Sequence, residues 1–264
     1  MSLKTISRWA RDLVDLEKSS LDAALTQAAG LASGRLLDVG CGDKPYEALF
    51  APRVSSYVGV EYESTYRDSA NAKLNRADHV YDGQTLPFAD ESFDTVLNTQ
   101  VLEHVPDPFA LFQEMVRVLA PGGRLLLTVP FAYRIHSVPY DFHRFTHFAL
   151  ESLAARHGLE VERLSSRGGF WIVMGQKFTS HLALNSARLG RTVQEAGGLT
   201  YEKPESSVPR WWVLPVVAPL IVSASLLARA LDRLDHDESD TLGYLLVARK
   251  PRRQHLDAPA ISTT

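Results

Sequence analysis

The chain is poor in cysteine and carries little net charge, and each shortage excludes a class of protein. Cys41 is the one cysteine among 264 residues, so an intrachain disulfide and a zinc site built on paired cysteines are both excluded. The formal net charge is −3, so the sequence has no basic footprint for binding nucleic acid. A cysteine-poor chain is typical of a reducing compartment, which predicts a cytoplasmic protein.

Long hydrophobic runs are also scarce. Charged residues between Lys4 and Asp15 interrupt the amino terminus before an apolar run reaches signal-peptide length. Apolar residues at positions 6–16 recur instead at helical spacing, which predicts helices within residues 1–34. An uncharged run of 18 residues, Trp211 to Ala228, falls just short of the ~20 residues that span a bilayer.

The most informative motif is Arg-Leu-Leu-Asp-Val-Gly-Cys-Gly at positions 35–42. Its apolar residues suit a strand that is buried on both faces of a parallel sheet. Gly40 and Gly42 allow a tight turn and the close approach of a ligand to bare backbone. The motif therefore predicts a pocket of nucleotide size at the end of the first strand.

The residues after this turn indicate which nucleotide fits. A dinucleotide fingerprint has a third glycine where Pro45 stands here, and Asp43 places negative charge where phosphates prefer open amides. Both residues argue against NAD and favour a ligand with a ribose and an amino-acid end, such as S-adenosylmethionine. Glu61 ends a second predicted strand 21 positions after Gly40, near the ~20 that separate the turn from a ribose-binding acid.

Strand and helix patterns alternate along the chain from residue 35 onward. Strands are predicted at 35–40, 56–61, 78–81, 93–98, 124–129, 159–165 and 241–249, and helices at 109–119 and 151–157. This alternation predicts an α/β fold with a doubly wound, mostly parallel, seven-stranded sheet. The predicted organisation is N-terminal helices at 1–34, a core at 35–167, a helical insertion at 168–240 between strands six and seven, the last strand of the core at 241–250, and a tail at 251–264.

Five motifs in order resemble the class I S-adenosylmethionine-dependent methyltransferases, of the type 11-like branch that methylates small molecules and lipids. The motifs are Leu-Leu-Asp-Val-Gly-Cys-Gly at 36–42, Val-Gly-Val-Glu at 58–61, Leu-Pro-Phe-Ala-Asp-Glu-Ser-Phe-Asp at 86–94, Val-Leu-Glu-His-Val at 101–105 and Leu-Ala-Pro-Gly-Gly-Arg-Leu at 119–125. The resemblance implies a Rossmann-like methyltransferase fold with S-adenosylmethionine as the cofactor.

The resemblance also implies which residues bind the cofactor, from its methionine end to its adenine. They are Asp38, Gly40, Gly42, Glu61, Asp82, Gly83, Asn98 and Gln100. The first three would shape the methionine side, Glu61 would take the ribose hydroxyls, and the pair at 82–83 would take the adenine. That pair also fits a plain turn. His104 would face the cofactor cleft in the family pattern, or serve only to cap or pack a helix.

Residues 131–148 predict a lid over the acceptor. The segment holds six of the chain's aromatic residues and breaks regular structure at Pro139. The catalytic candidates are His136, Asp141 and His143, because imidazole titrates near neutrality and a carboxylate orients it. The substrate-binding candidates are His104, Tyr133, Arg134, Tyr140 and Arg144.

The two lid arginines are predicted either to bind a phosphate or carboxylate on the acceptor, or to pair with Asp141 or Glu151. Residues 136–146 also resemble a lid in bacterial methyltransferases from cell-surface polysaccharide gene sets. No metal site is expected, since the histidines and acids lack the helical pairing of the usual zinc motifs.

The insertion contains a second feature of functional interest. Its amphipathic segment 211–234 fits an interfacial membrane anchor, a buried lid or a homodimer contact. Pro215 and Pro219 are predicted to interrupt this helix, and Phe170 to Leu189 to form a second apolar helix. One predicted apolar face consists of Leu220, Ala224, Leu227, Leu231 and Leu234.

The sequence thus predicts a methyltransferase that acts, at oxygen, on a small or lipid-linked acceptor, with a glycan or glycolipid intermediate favoured. A quinone or other hydrophobic metabolite is the alternative acceptor. A non-catalytic scaffold that binds S-adenosylmethionine is the alternative outside enzymes. Aminopropyl transfer calls for an acidic pocket, whereas this lid is aromatic and basic. If segment 211–234 is an anchor, the protein works at the inner face of the membrane.

Overall fold

A computed structural model describes residues 14–63, 76–183, 188–189, 193–196, 199–202, 208–209 and 211–252. The helices are α1 (Leu16–Ala29), α2 (Glu47–Phe50), α3 (Pro108–Val118), α4 (His147–Arg156), α5 (Phe170–His181) and α6 (Leu214–Asp232). The strands of the main sheet are β1 (Arg35–Val39), β2 (Ser56–Tyr62), β3 (His79–Tyr81), β4 (Phe93–Thr99), β5 (Leu119–Pro130), β6 (Glu160–Ser166) and β11 (Gly243–Arg249). Four short strands lie in the insertion, β7 (Arg188–Leu189), β8 (Val193–Ala196), β9 (Leu199–Glu202) and β10 (Val208–Pro209).

The seven main strands form one sheet in the order β3-β2-β1-β4-β5-β11-β6. Strand β11 runs antiparallel to both neighbours, and the pairs from β3 to β5 are parallel. The doubly wound, mostly parallel sheet predicted from the sequence is therefore confirmed. The strand order reverses between β1 and β4, and in such sheets the crevice at the carboxyl ends of the reversing strands is where ligands bind.

Helices cover both faces of the sheet, which explains the apolar character of β1. On one face, α3 and α4 place Phe112 and Leu150 against Leu37. On the other face, α1 packs Leu25 against Leu36. All five of these side chains are fully buried, and each fully buried side chain contributes about 1.5–3 kcal/mol to folding.

Side-chain caps set the helix starts more sharply than the apolar pattern does. Asp107 accepts the Ala110 amide at 3.0 Å and begins α3. Thr146 accepts the Ala149 amide at 3.2 Å, so α4 begins at residue 147, four residues before the predicted helix. Within the predicted N-terminal helices, α1 is described, and positions 1–13 lie outside the described residues, as does most of the predicted tail.

The insertion contains two helices and, in addition, short strands that the sequence did not predict. Strand β7 pairs with β10, and β8 pairs with β9. Helix α5 ends at His181, so the apolar helix predicted over 170–189 was too long. Helix α6 runs through Pro219 without ending, and Pro215 sits in its first turn, where a missing amide hydrogen leaves no bond unmade. The predicted interruption of this helix was wrong.

Helices α5 and α6 pack closely against each other. A Cβ added at Gly175 of α5 would lie 2.6 Å from the Cβ of Ala228, so glycine is what allows this approach. The Asp232 carboxylate at the end of α6 accepts the Gly169 amide at 3.0 Å and the Ile172 amide at 3.3 Å, and it thereby caps α5.

Candidate active site

The glycine turn after β1 has one crowded side and one open side. Gly40 has φ +75°, and a Cβ there would lie 2.4 Å from a methyl group of Val101. Gly42 has φ +51°, but a Cβ there would meet no atom within 4 Å. The Gly42 amide donates to the Glu61 carboxylate at 2.9 Å. The open space above Gly42 is thus bordered by the predicted ribose-binding acid.

Glu61 ends β2 with its side chain buried. Besides the Gly42 amide, its carboxylate accepts the Tyr62 amide at 2.9 Å. Burial raises the pKa of Glu61, and the two amides oppose that rise. The carboxylate therefore ties the ends of β1 and β2 together beside the turn, and its contact with a ribose stays a prediction.

Asp38 lies beneath the turn rather than on its surface. Its side chain is buried and accepts a hydrogen bond from the Tyr57 hydroxyl. Burial raises the pKa of Asp38 to about 7, while the Tyr57 hydrogen bond opposes that rise. Nearby, the buried Lys44 places Nζ 2.6 Å from Asp78, which also accepts the Gly59 amide. The Asp38 carboxylate thus lies buried just before the turn, and its role on the methionine side of the pocket stays a prediction.

The predicted adenine-binding pair forms a turn after β3. Oδ1 of Asp82 accepts the Thr85 amide at 3.0 Å and the Gln84 amide at 2.8 Å, and these two bonds lower the pKa of Asp82. Gly83 has φ +83°, and a Cβ there would lie 2.9 Å from the Tyr62 ring. Both interpretations of this pair, a turn and an adenine contact, are compatible with that geometry.

Asn98 and Gln100 join the ends of the central strands. Nδ2 of the fully buried Asn98 donates to the Val39 carbonyl at 3.0 Å, and its Oδ1 is buried without a partner. Gln100 has φ +55°, and its amide donates to the Thr128 carbonyl at 3.0 Å. Asn98 thus ties β4 to β1, the Gln100 backbone ties the end of β4 to β5, and direct contact between either residue and the cofactor stays a prediction.

The lid segment folds back over the end of β4. The Phe142 amide donates to the Glu103 carbonyl at 2.8 Å, and the His136 amide donates to Asp141 at 2.9 Å. Nη1 and Nη2 of Arg144 donate to the two carboxylate oxygens of Asp141, at 2.5 and 2.8 Å. Of the two roles predicted for the lid arginines, Arg144 takes the pairing with Asp141. Arg134 is exposed, and its backbone carbonyl lies 3.2 Å from Nδ1 of His136.

Asp141 acts within the lid as a positioning group. Burial favours its neutral form, but Arg144 and the His136 amide hold the pKa of Asp141 below its ordinary value. An ionised carboxylate already engaged by a guanidinium is a weak proton acceptor. It instead orients the imidazole of His136, whose Nδ1 lies 3.2 Å from Oδ2 of Asp141.

The lid brings two histidines together at the ends of β4 and β5. The rings of His104 and His136 are 4.7 Å apart between centroids, and Tyr133 lies 5.4 Å from His136. Nδ1 of His104 lies 2.5 Å from the Tyr140 carbonyl. Burial lowers the pKa of His136, against the influence of Asp141, so this ring is neutral at pH 7. His143 stands apart, with Nε2 3.4 Å from the Pro106 carbonyl.

Glu103 belongs to this cluster, although the sequence analysis did not select it. Its side chain is fully buried, and neither carboxylate oxygen has a hydrogen-bond partner. Burial raises the pKa of Glu103 to about 8. An acid that directly follows the apolar pair Val101 and Leu102 was the available signal, because such an acid is rarely buried without a function.

Arg167 is the second residue that the sequence analysis missed. It is fully buried after β6, and Nη2 lies 2.9 Å from Glu17 at the start of α1. Its Nε and Nη1 are buried without hydrogen-bond partners, which suits a guanidinium to hold an anion. Its contact joins residues 150 positions apart, so no local pattern reveals it.

Comparisons with known proteins agree with this geometry. Residues 37–127 match the family model described as a methyltransferase domain. An uncharacterized methyltransferase of Mycobacterium sp. (strain JLS) is 37% identical over 153 residues, which are 54% of this chain and 59% of that protein. One of Mycobacterium leprae (strain TN) is 37% identical over 118 residues, 43% of this chain and 42% of that one. The chain spans about half the length of the curated relatives it matches.

Solved structures share the fold at low sequence identity. Phosphoethanolamine N-methyltransferase 2 of Haemonchus contortus, in complex with S-adenosyl-L-methionine, has a TM-score of 0.52 at 16% identity, over 89% of this chain and 53% of that one. The cyclase SpnF also has a TM-score of 0.52, at 22% identity, over 88% of this chain and 82% of that one. Residues 37–127 are therefore similar to a methyltransferase domain, and the whole chain shares its fold with these solved structures.

Proposed function

We propose that the whole protein is an S-adenosylmethionine-dependent methyltransferase that methylates an oxygen of a small or lipid-linked acceptor held beneath the lid. The observation that carries this proposal is the cluster of Glu103, His104 and His136, in which two residues that follow β4 meet a histidine of the lid. These are groups able to hold a hydroxyl and to accept its proton.

Methyl transfer of this kind is an in-line displacement. A lone pair of the acceptor oxygen attacks the methyl carbon, the carbon–sulfur bond breaks, and its electron pair stays on sulfur to give neutral S-adenosylhomocysteine. The donor is already activated, so the protein mainly aligns the acceptor and removes its proton. The neutral imidazole of His136 is suited to accept that proton, with Asp141 stabilising the imidazolium that forms.

The insertion favours an acceptor that is attached to lipid. Several large apolar side chains of α6 and its flanks are at least half exposed, and so is Phe178 of α5, at 52%. Those of α6 and its flanks are Trp212, Val216, Leu220, Leu227 and Leu234. An apolar surface of this extent on a soluble domain marks a contact with a membrane or a protein.

The orientation of α6 bears on this choice. Val217, Ser225 and Ala228 form its buried side, whereas Leu220 and Leu227 of the predicted apolar face point outward. Within the described residues, Pro215–Asp232 is the one helix long and apolar enough to cross a membrane, and 17% of it is buried. Because the exposed face belongs to a helix that α5 and Asp232 hold to the core, we favour an interfacial anchor at the inner face of the membrane over a span.

The proposed activity is tested with a labelled methyl donor. We expect the purified full chain, given labelled S-adenosylmethionine and a lysate, to transfer label to material in the lipid extract that base does not release, as for an ether. Label in a glycolipid fraction supports the favoured acceptor, and label in a quinone fraction supports the alternative.

The control is the variant Glu61→Gln, in which we expect weaker cofactor binding and correspondingly less transfer. Cofactor binding without transfer to either extract would contradict the enzyme and support the scaffold. This outcome must be measured because one protein of the same fold is a cyclase, so the fold alone does not establish methyl transfer.

A further inference from the structure

Glu103, His104 and His136 bring one carboxylate and two imidazoles to one point from two parts of the chain. The atoms that each residue offers as a ligand all lie within 4.8 Å of one another. Ligand atoms about 2.1 Å from an ion are ~3.4 Å apart in a tetrahedral site, so the outermost pair needs to approach by up to roughly 1.4 Å. A side-chain rotation achieves a movement of that size.

The outer contacts of both histidines leave the same nitrogen available. Nδ1 of His104 faces the Tyr140 carbonyl at 2.5 Å, so that nitrogen carries the proton and Nε2 holds a lone pair. Nδ1 of His136 faces the Arg134 carbonyl and Asp141, each at 3.2 Å, which assigns the same tautomer. Metal-binding histidines are oriented in this way, by a carbonyl or carboxylate acceptor on the opposite nitrogen.

The Glu103 carboxylate, the third ligand, is also available to bind an ion. Both oxygens of the Glu103 carboxylate are buried and lack a hydrogen-bond partner, and Oε1 lies 3.7 Å from Nε2 of His104. A buried carboxylate without a partner is costly, because burial removes water and supplies nothing in exchange. A cation bound between the carboxylate and the two Nε2 atoms would satisfy all three groups.

We propose that Glu103, His104 and His136 bind one divalent transition-metal ion, such as Zn²⁺, Fe²⁺ or Co²⁺, on the acceptor side of the cofactor crevice. Two imidazoles select this class of ion over Mg²⁺ and Ca²⁺, which prefer oxygen ligands. Three protein ligands leave at least one position of the ion open. Asp141 and Arg144 are positioning residues that hold His136 for binding.

The role of the ion rests on the proposed function. At the open position it would hold the acceptor hydroxyl and favour its loss of a proton, as a Lewis acid does. With the ion bound, Nε2 of His136 is occupied as a ligand, so the ion replaces this imidazole in promoting deprotonation and the proton leaves to water. The resulting oxygen anion attacks the methyl group, and the balance of the transfer is unchanged. Sequence reasoning found no such site because its ligands come from segments separated by the whole of α3 and β5.

The experiment measures metal binding separately from activity. The full chain is treated with a chelator, dialysed and titrated with Co²⁺, whose visible absorption reports nitrogen and oxygen ligands. We expect one Co²⁺ per chain. In Glu103→Gln, and separately in His136→Asn, we expect affinity to fall more than ~100-fold, because loss of even an outer-shell partner costs about 10- to 100-fold.

His147→Asn is the matched control, since His147 lies in the same segment but packs on Phe148 and Tyr244, and we expect its Co²⁺ affinity to equal that of the wild type. Circular dichroism checks that each variant is folded. Tight binding that survives in both ligand variants, or no saturable binding by the wild type, overturns the site. Binding of Co²⁺ without methyl transfer contradicts the proposed function and leaves the site standing, while transfer that resists chelation overturns the role of the ion.

Discussion

Charged side chains that are buried at the strand ends dominate the chemistry of single residues in this protein. Asp38, Glu61, Glu103 and Arg167 all lie near the ends of strands, yet the hydrogen-bond partners of these buried groups differ. Asp38 and Glu61 have hydrogen-bond donors, whereas Glu103 has none. Asp38 and Glu61, which accept hydrogen bonds, therefore have a structural role beside the turn, whereas Glu103, which accepts none, is available to bind a ligand.

The two glycines of the turn predict opposite results from the same substitution. Gly40→Ala should cost about 2–5 kcal/mol in the free energy of unfolding, because its φ is left-handed and its methyl group would collide with Val101. Gly42→Ala should cost only about 1–2 kcal/mol, since no atom crowds it, but its methyl group would enter the cofactor's space.

Urea unfolding and calorimetric titration with S-adenosylmethionine distinguish these two effects. We expect Gly42→Ala to remain folded and to bind the cofactor more weakly than the wild type. If Gly42→Ala binds the cofactor as tightly as the wild type, the open space above that turn is not where the ligand lies.

Asp38 predicts a pH dependence of stability. Its pKa of about 7 in the folded protein exceeds the ~3.9 of an unfolded aspartate, so its contribution is complete below pH ~4 and is lost as the pH rises through 7. Between pH 5 and pH 8 the wild type should lose about 2–3 kcal/mol relative to Asp38→Asn, whose amide oxygen still accepts from Tyr57. Urea unfolding of both proteins at the two pH values measures the difference. Parallel stability curves would contradict the raised pKa.

Among the secondary-structure elements, those in which buried apolar residues recur at strand or helix spacing were predicted best from the sequence. Six of the seven main strands and α3 lie within two residues of their predicted bounds, since both faces of β1 and one face of α3 are buried, whereas β5 begins at Leu119, five residues before the predicted strand. The start of α4 and the end of α5 were less accurate, because a threonine cap and a loss of periodicity decide them. The role of α6 was left open between an anchor, a lid and a dimer contact, since apolar spacing cannot say which of two apolar sides meets α5.

Helix α6 predicts vesicle binding through its outer face. Replacing Leu220 and Leu227 by glutamine should weaken binding to phosphatidylcholine vesicles about a hundredfold, because each leucine contributes about 1.5 kcal/mol or more when it enters the apolar phase. The same double change at Val80 and Phe109, exposed apolar residues outside the insertion, is the control and should leave binding unchanged. Flotation measures both.

If neither variant loses vesicle binding, the outer face of α6 is not a membrane anchor. If the leucine variant instead changes the oligomeric state in sedimentation while vesicles are never bound, the outer face of α6 is a dimer contact.

For the molecule as a whole, the sequence predicted the cofactor side of the site better than the acceptor side. The cofactor turn is continuous in the chain, so its glycines and Glu61 can be identified from spacing. The acceptor side combines Glu103 with His136 and Arg167 with Glu17, and only the folded sheet brings such distant residues together. Contacts of that kind carry no local pattern, which is why Glu103 and Arg167 were missed.

Binding of S-adenosylmethionine, but not of NAD, is expected to raise the free energy of unfolding of the whole molecule. S-adenosylmethionine at about 100 times its dissociation constant should stabilise the folded chain by ~2.7 kcal/mol and raise Tm by roughly 5–10 °C. NAD at the same concentration should leave Tm unchanged, because the turn offers Asp43 and Pro45 where a pyrophosphate needs open amides. A scanning calorimeter measures both. Equal shifts by the two ligands would contradict the assignment of the pocket.

The place of β11 in the sheet has a consequence for synthesis on the ribosome. This strand is made after β5 and β6 but lies between them and pairs with both. Until residues 243–249 leave the exit tunnel, β5 keeps one unpaired edge and β6 has no neighbour in the main sheet, and the insertion is synthesised during that interval. A nascent chain halted before Gly243 therefore exposes the edge of β5 and the whole of β6 to self-association, so the order of translation makes this late strand the step that closes the sheet.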